Sequence, residues 1–139
     1  MPQQSVAVEM ERFFNALADH TRLRLLNLIA DQEVCVCYFV EVLKLPQPTI
    51  SRHLAYLRRM GVVAARREGK WMHYRIVPGR SWRQVMTETL RWLGEDKSMQ
   101  QDRARLARAS CASRKFVRLQ GAPTPAPVAD IPTESIDGR

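Results

Sequence analysis

The sequence predicts a mostly α-helical chain with one small β-hairpin. Apolar residues recur at helical spacing in segments before residue 61 and again after residue 80. Between them, residues 62–77 alternate with a period of two about Glu68-Gly69. With 139 residues, 45% of them hydrophobic, the chain can build one core. It is expected to divide into a folded unit over residues 1–110 and a C-terminal extension over 111–139.

The elements follow in order. Met10, Phe13, Phe14 and Leu17 give a first helix over residues 9–17. Asp19 and Thr21 are candidate caps for a second, over residues 21–30, whose leucines cover more than one face and predict burial. A short third helix spans residues 36–43, and Leu45-Pro46-Gln47-Pro48 breaks the chain after it. Pro48 suits the first turn of a fourth helix, where its missing N–H costs nothing, and Gly61 suits its end. On that helix Ile50, Leu54, Leu57 and Gly61 fall within about 40° of one direction, opposite Arg52, Ala55, Tyr56 and Arg59. The hairpin joins residues 62–66 to residues 70–77, where Met72, Tyr74 and Ile76 alternate with Trp71, His73 and Arg75. From Ser81 a long helix is expected, with Trp82, Val85, Met86, Thr89, Leu90 and Leu93 in one stripe, an interruption at Gly94 and a basic, fading end. Residues 121–139, with four prolines and no helical or strand pattern, read as disordered.

Helix, sharp turn, helix and then a hairpin is a winged helix-turn-helix, whose second helix enters the major groove of double-stranded DNA. Gln47, Thr49, Ser51, Arg52 and His53 then fall where base edges and phosphates are touched. His53 has helix-surface packing as its alternative. Arg66, Arg67 and Lys70 at the wing tip are expected to reach phosphates or the minor groove. The net charge of +8 supports such a partner: residues 121–139 carry −2, leaving +10 on the first 120. No apolar run is long enough for a membrane span, and the N-terminus lacks the pattern of a secretory signal. Three cysteines without a secretory context argue against a disulfide framework and for a reducing cytoplasm.

The segments LADHTRLRLLNLI, EVCVCYFVEVL, QPTISRHLAYLRRMGVV and REGKWMHYRI resemble the ArsR/SmtB family of metal- and metalloid-responsive repressors, and its arsenic-responsive members most. The resemblance spans roughly residues 8–93. It implies a homodimeric winged-helix repressor that occupies a palindromic operator and leaves when an inducer binds. It also implies dimerisation through the first and last helices, here Phe13, Phe14 and Leu17 with Trp82, Met86, Leu90 and Leu93.

Cys35 and Cys37 form a Cys-Val-Cys pair at the start of the third helix, and soft thiolates select soft, thiophilic ions. In an ideal helix, positions i and i+2 lie about 200° apart, so chelation would need a non-helical or unwound first turn. The resemblance makes the pair the site for an inducer, trivalent arsenic as arsenite or an organoarsenical, with no resident cofactor. The arsenical motif commonly carries a third cysteine where this chain has Val40. Either Cys111 completes a three-sulfur site, or the site has two thiolates and the third position goes to solvent, a small thiol or a carbon substituent on arsenic. An unbroken helix from Ser81 would carry Cys111 about 45 Å away.

Other readings remain beside this one. Cadmium or lead could occupy the thiolates. The pair could close a strained disulfide and act as a redox switch. Zinc-sensing relatives carry Asp/His ligands on the last helix, and residues 81–110 hold no histidine. His73 reads as structural and His20 as a capping or surface residue. No Gly-rich phosphate loop, CxxC pair or oxyanion-type loop supports an enzyme.

Overall fold

The computed structural model describes residues 5–128. Helix α1 (Val6–Leu17) is capped by Ser5, whose hydroxyl accepts from the Val8 N–H. Helix α2 (His20–Leu28) is capped by Asp19, which accepts from the Arg22 N–H at 3.0 Å. A four-residue strand β1 (Gln32–Cys35) runs directly into α3 (Val36–Leu43). Sequence periodicity does not reveal β1, because four residues are too few to set a period.

Helix α4 (Gln47–Arg59) has Pro48 in its first turn, as expected. Its end closes with two reverse bonds, Val62 N–H to Leu57 O and Gly61 N–H to Arg58 O, both 3.0 Å. That pattern needs a left-handed residue, and Gly61 has φ +80°. Strands β2 (Val63–Glu68) and β3 (Trp71–Ile76) form the hairpin around Gly69-Lys70, with Gly69 at φ +61°. The core gathers Leu25, Leu26 and Ile29 of α2, Tyr38, Phe39 and Val42 of α3, and Ile50, Leu54 and Leu57 of α4.

The long terminal helix is broken at Gly94 into α5 (Arg83–Leu93) and α6 (Lys97–Cys111). The basic residues of α6 do not mark a fading end. Arg24 of α2 grips the buried Asp102 carboxylate at 2.8 and 3.1 Å, and Arg105 joins it. Asn27 donates to Met99 O at 2.9 Å, and Arg103 donates to Asn27 O at 2.6 Å. Helix α6 therefore folds back on the body, and the 45 Å excursion of Cys111 does not occur.

Two further expectations change. Phe13 stacks on Trp82 at 5.0 Å between ring centres, and both, with Met86, are buried within one chain. They belong to the chain's own core, and Phe13 and Trp82 also line an open apolar pocket with Val6, Met10, Phe14 and Val85. The large apolar residues left open on α1 and α5 are Val6, Val8, Met10, Phe14, Val85 and Trp92. Beyond α6, two short 3-10 turns (Ser113–Lys115 and Val117–Leu119) bury Leu119, and β4 (Ala126–Pro127) pairs with β1. The stretch expected to lack a strand from residue 121 thus adds to the sheet, in the order β2-β3-β1-β4, because β1 leaves one edge unpaired. Residues 129–139 of that expected disordered tail lie outside the described residues.

Candidate nucleic-acid interface and dithiol site

Helix α4 lies with Ile50, Leu54 and Leu57 in the core and Gln47, Ser51, Arg52, Ala55 and Arg59 exposed. Thr49 is half-buried on its first turn. His53 is turned away from the open face. Its Nδ1 sits 3.7 Å from Asp19 Oδ2, and its side chain is 16% exposed. The packing alternative for His53 therefore has the geometry behind it. Tyr56 is held between guanidinium groups, with Arg22 at 4.3 Å and Arg59 at 5.4 Å from its ring centre.

The wing differs from expectation at Arg66. It is in strand β2 rather than on the tip, and its guanidinium is spent on Glu33 of β1. Nη2 lies 2.6 Å from Glu33 Oε1, and Nε lies 3.1 Å from both carboxylate oxygens. Glu33 is buried, so a single charged partner must remain with it. His73 Nε2 meets Glu68 Oε1 at 2.9 Å, and its Nδ1 lies 3.8 Å from Glu33. Arg75 is buried beside this cluster, its Nε without a hydrogen-bond partner, and burial holds its pKa below the usual guanidinium value. Arg67 and Lys70 are the expected wing cations that remain exposed, Lys70 lying 4.9 Å from the Trp71 ring centre.

Cys35 is the last residue of β1 and the N-cap of α3, with extended backbone (φ −74°, ψ 145°). Cys37 is in the first turn. The first turn therefore needs no unwinding, because only one of the two residues is helical. The two sulfurs lie 3.3 Å apart, and the Cys37 thiol donates to Cys35 Sγ. This donor, helped by the backbone N–H groups of Cys37, Val36 and Met72, brings Cys35 down to about 7 against the opposing effect of burial. The same contact pushes Cys37 up, so above about pH 7 the pair holds one proton between two sulfurs. Cys35 faces His73 across the β1–β3 ladder. Cys37 opens onto a cavity of about 640 Å³ lined by Val40, Lys44, Leu45, Pro46, Gln47 and Arg118. Among the described residues no group of three or more His, Cys, Asp or Glu could hold a metal ion. Cys111, exposed at the end of α6, is thus not brought to the pair within one chain.

Sequence reasoning missed Glu33, Lys44 and Arg118. A lone glutamate beside a cysteine carries no periodic signal, and Arg118 reaches the site only because the chain after α6 turns back. No helix among the described residues is long and apolar enough to cross a membrane.

Residues 19–65 match the family model described as bacterial regulatory protein, arsR family. The arsenical resistance operon repressor of Escherichia coli is 39% identical over 103 residues, covering 73% of this chain and 87% of that protein. The arsenic resistance transcriptional regulator ArsR1 of Pseudomonas putida is 52% identical over 66 residues, 47% of this chain and about half, 52%, of that protein. The cadmium resistance regulatory protein CadC of Listeria innocua is 35% identical over 63 residues, 45% of this chain and 53% of that protein. Among solved structures, HlyU from Vibrio cholerae superposes with a TM-score of 0.56 at 26% identity, covering 67% of this chain and 96% of that one. The three curated relatives are named as a repressor or as regulators. With its helix-turn-helix, its wing and a similarity that covers 87% of the Escherichia coli repressor, the chain belongs to the ArsR family of bacterial transcriptional regulators.

Proposed function

We propose that this chain works as a homodimeric repressor that binds double-stranded operator DNA and releases it when trivalent arsenic binds Cys35 and Cys37. The observation that carries the reading is the sulfur pair itself. Thiolate–ion bonds of about 2.3 Å across a 3.3 Å separation subtend about 90° at the ion, which suits a pyramidal trivalent centre. At that bond length a tetrahedral ion would need sulfurs about 3.8 Å apart and a linear one about 4.6 Å. A Cys35 pKa brought down to about 7 supplies a thiolate near neutral pH, the form that attacks the metalloid.

Gln47, Thr49, Ser51 and Arg52 take the base-reading and anchoring positions, and Arg67 and Lys70 hold the backbone from the wing. The open apolar residues of α1 and α5, with Trp92 75% exposed, favour the pairing of two copies. Two thiolates satisfy an organoarsenical that already bears one carbon, whereas inorganic arsenite needs a third ligand. Cadmium and lead remain the alternative inducers for the same thiolates, and their preference for more ligands counts against them here.

The test is release of in vitro selected operator DNA followed by fluorescence anisotropy, with arsenite and with methylarsenite. Cys35→Ser should bind DNA as the parent does and ignore both compounds. Normal release from Cys35→Ser would sink the dithiol assignment. The same titrations in Cys111→Ser distinguish a third sulfur supplied across the dimer from a two-thiol site.

A further inference from the structure

We infer that the third ligand of arsenic at this site is a small anionic thiol drawn from solution, seated in the cavity beside Cys37 by Lys44 and Arg118. The inference rests on the dithiol reading above and adds the ligand that completes it. Trivalent arsenic makes three bonds, and the chain offers two sulfurs at 3.3 Å. No third Cys, His, Asp or Glu joins them among the described residues. Val40, one turn after Cys37 on the same helix face, closes that side with an apolar wall.

The cavity at Cys37 holds about 640 Å³, far more than one water or a methyl group requires. Val40, Leu45 and Pro46 give it an apolar flank, while Lys44 and Arg118 stand at its edge as cations. Both cations share one carboxylate, Glu41, at 3.1 and 3.4 Å, so the cavity keeps a net positive charge. Their side chains are 67% and 59% exposed, which leaves further N–H donors free for an incoming anion. Lys44 is fixed at this edge by its own backbone, the one described non-glycine residue with positive φ, at +58°. An apolar flank for a carbon chain, a cationic edge for a carboxylate and a sulfur-bound ion between them describe a cysteine-like or glutathione-like thiol.

The reaction is an exchange of ligands without oxidation or reduction. Counted from the protonated thiols, arsenous acid and three thiols give one arsenic bonded to Cys35, Cys37 and the free thiol, with three waters released; where Cys35 starts as the thiolate, solvent supplies the third proton. Each As–O bond is replaced by an As–S bond, and each thiol proton leaves in a water molecule.

The test compares one thiol with and without its charge, N-acetylcysteine and N-acetylcysteine amide, at equal concentration. Arsenite binding to the full chain is followed by the ultraviolet absorbance of the arsenic–sulfur bonds, and native mass spectrometry reports whether the adduct keeps the thiol. The expected result is a ternary adduct formed about fivefold more tightly with the anionic thiol, the yield of one or two exposed ion pairs. The advantage should fade as salt rises, and it should vanish in Arg118→Ala and Lys44→Ala while binding with the amide persists. Val40→Cys, which places a third sulfur one turn from Cys37, should remove the need for either thiol. Equal affinity with both thiols, or an adduct without thiol, would overturn this inference alone. No arsenite bound in any buffer would overturn the dithiol reading and this inference with it.

Discussion

Arg66 and Arg67 are neighbours in the wing, yet their geometry assigns them opposite consequences on replacement. Arg66 spends its guanidinium on Glu33, whose side chain is 2% exposed, at distances of 2.6 to 3.1 Å. Removing one partner of a buried pair leaves an uncompensated charge, a loss of about 3–5 kcal/mol. His73 at 3.8 Å and the adjacent Arg75 soften that, so Arg66→Ala should cost about 3 kcal/mol, the lower end of the range. With an m-value of about 2 kcal/mol/M, the urea midpoint falls by about 1.5 M. Arg67 is exposed, and its replacement should move stability by no more than about 0.5 kcal/mol. In DNA binding the order reverses. Arg67→Ala should lower the slope of log affinity against log salt by about 0.9 for each phosphate that Arg67 neutralises, while Arg66→Ala, measured where it is folded, should keep the parental slope. Urea unfolding at one fixed protomer concentration and salt-dependent anisotropy give the two readings. Adding Glu33→Gln to Arg66→Ala should recover part of the forfeited stability by removing the stranded charge. An Arg66→Ala protein that unfolds at the parental midpoint and loses salt slope as Arg67→Ala does would refute the reasoning.

Three further outcomes follow from the same geometry. Arg52→Ala should weaken operator binding by about 1–3 kcal/mol if it makes a bidentate base contact; unchanged anisotropy titrations would remove it from the base-reading set. In Cys111→Ser, thiolate absorbance should titrate near pH 7, with Cys35 ionised above that pH and protonated below it. Cys37→Ala takes away the donor thiol and should move the inflection upward; an inflection that stays put would dismiss the sulfur–sulfur hydrogen bond as its cause. Trp92→Glu should weaken self-association by at least about 2 kcal/mol, as loss of an aromatic anchor does. Circular dichroism should be unaltered, since Trp92 is 75% exposed in the single chain. Sedimentation of an unchanged dimer would place the interface elsewhere.

Much of this fold is written in local signals. The core stripe of α4, its proline start and its glycine stop each follow from one helix's own chemistry, and the structure repeats them. The break at Gly94 is visible too, but not its consequence. The return of α6 depends on Arg24 meeting Asp102 across 78 positions of sequence, a pairing no local window contains. The stripe of α1 and α5 is legible, but part of it has a second use inside one chain. Phe13 of α1 and Trp82, the residue before α5, stack on each other within the chain, a pairing across 69 positions that no local window contains. Cys35 and Cys37 are legible as a pair, and the obstacle of helical phase dissolves because β1, too short to detect, ends on Cys35. Arg66 reads as a wing cation because charge is visible in sequence, whereas Glu33, its partner, is buried by strands that only the fold assembles.

The two cysteines occupy different bodies, and that difference is what makes the pair useful to a switch. Cys35 closes β1, which is hydrogen-bonded to wing strand β3 and holds Arg66 of β2 through Glu33. Cys37 opens α3, whose far end passes through Lys44 at φ +58° and Pro46 into α4. On the proposed reading an ion shared by the two sulfurs therefore bridges the wing's sheet and the helix-turn-helix. A bridge alone releases nothing, since a ligand shifts a conformational equilibrium only by its unequal affinity for the two states. The sulfurs already stand 3.3 Å apart, so the affinity difference cannot come from gathering them. It must come from what the ion displaces, the shared proton between the sulfurs, and from what its third ligand meets in the cavity. That cavity is bounded by Lys44 at the strained turn and Gln47 at the first position of α4. The sheet side is locked by a buried ion pair, whereas the turn side is open and held by one left-handed lysine. On the proposed reading, any strain of occupancy would be relieved at the α3–α4 turn, where a small displacement would be carried directly into the residues proposed to read DNA.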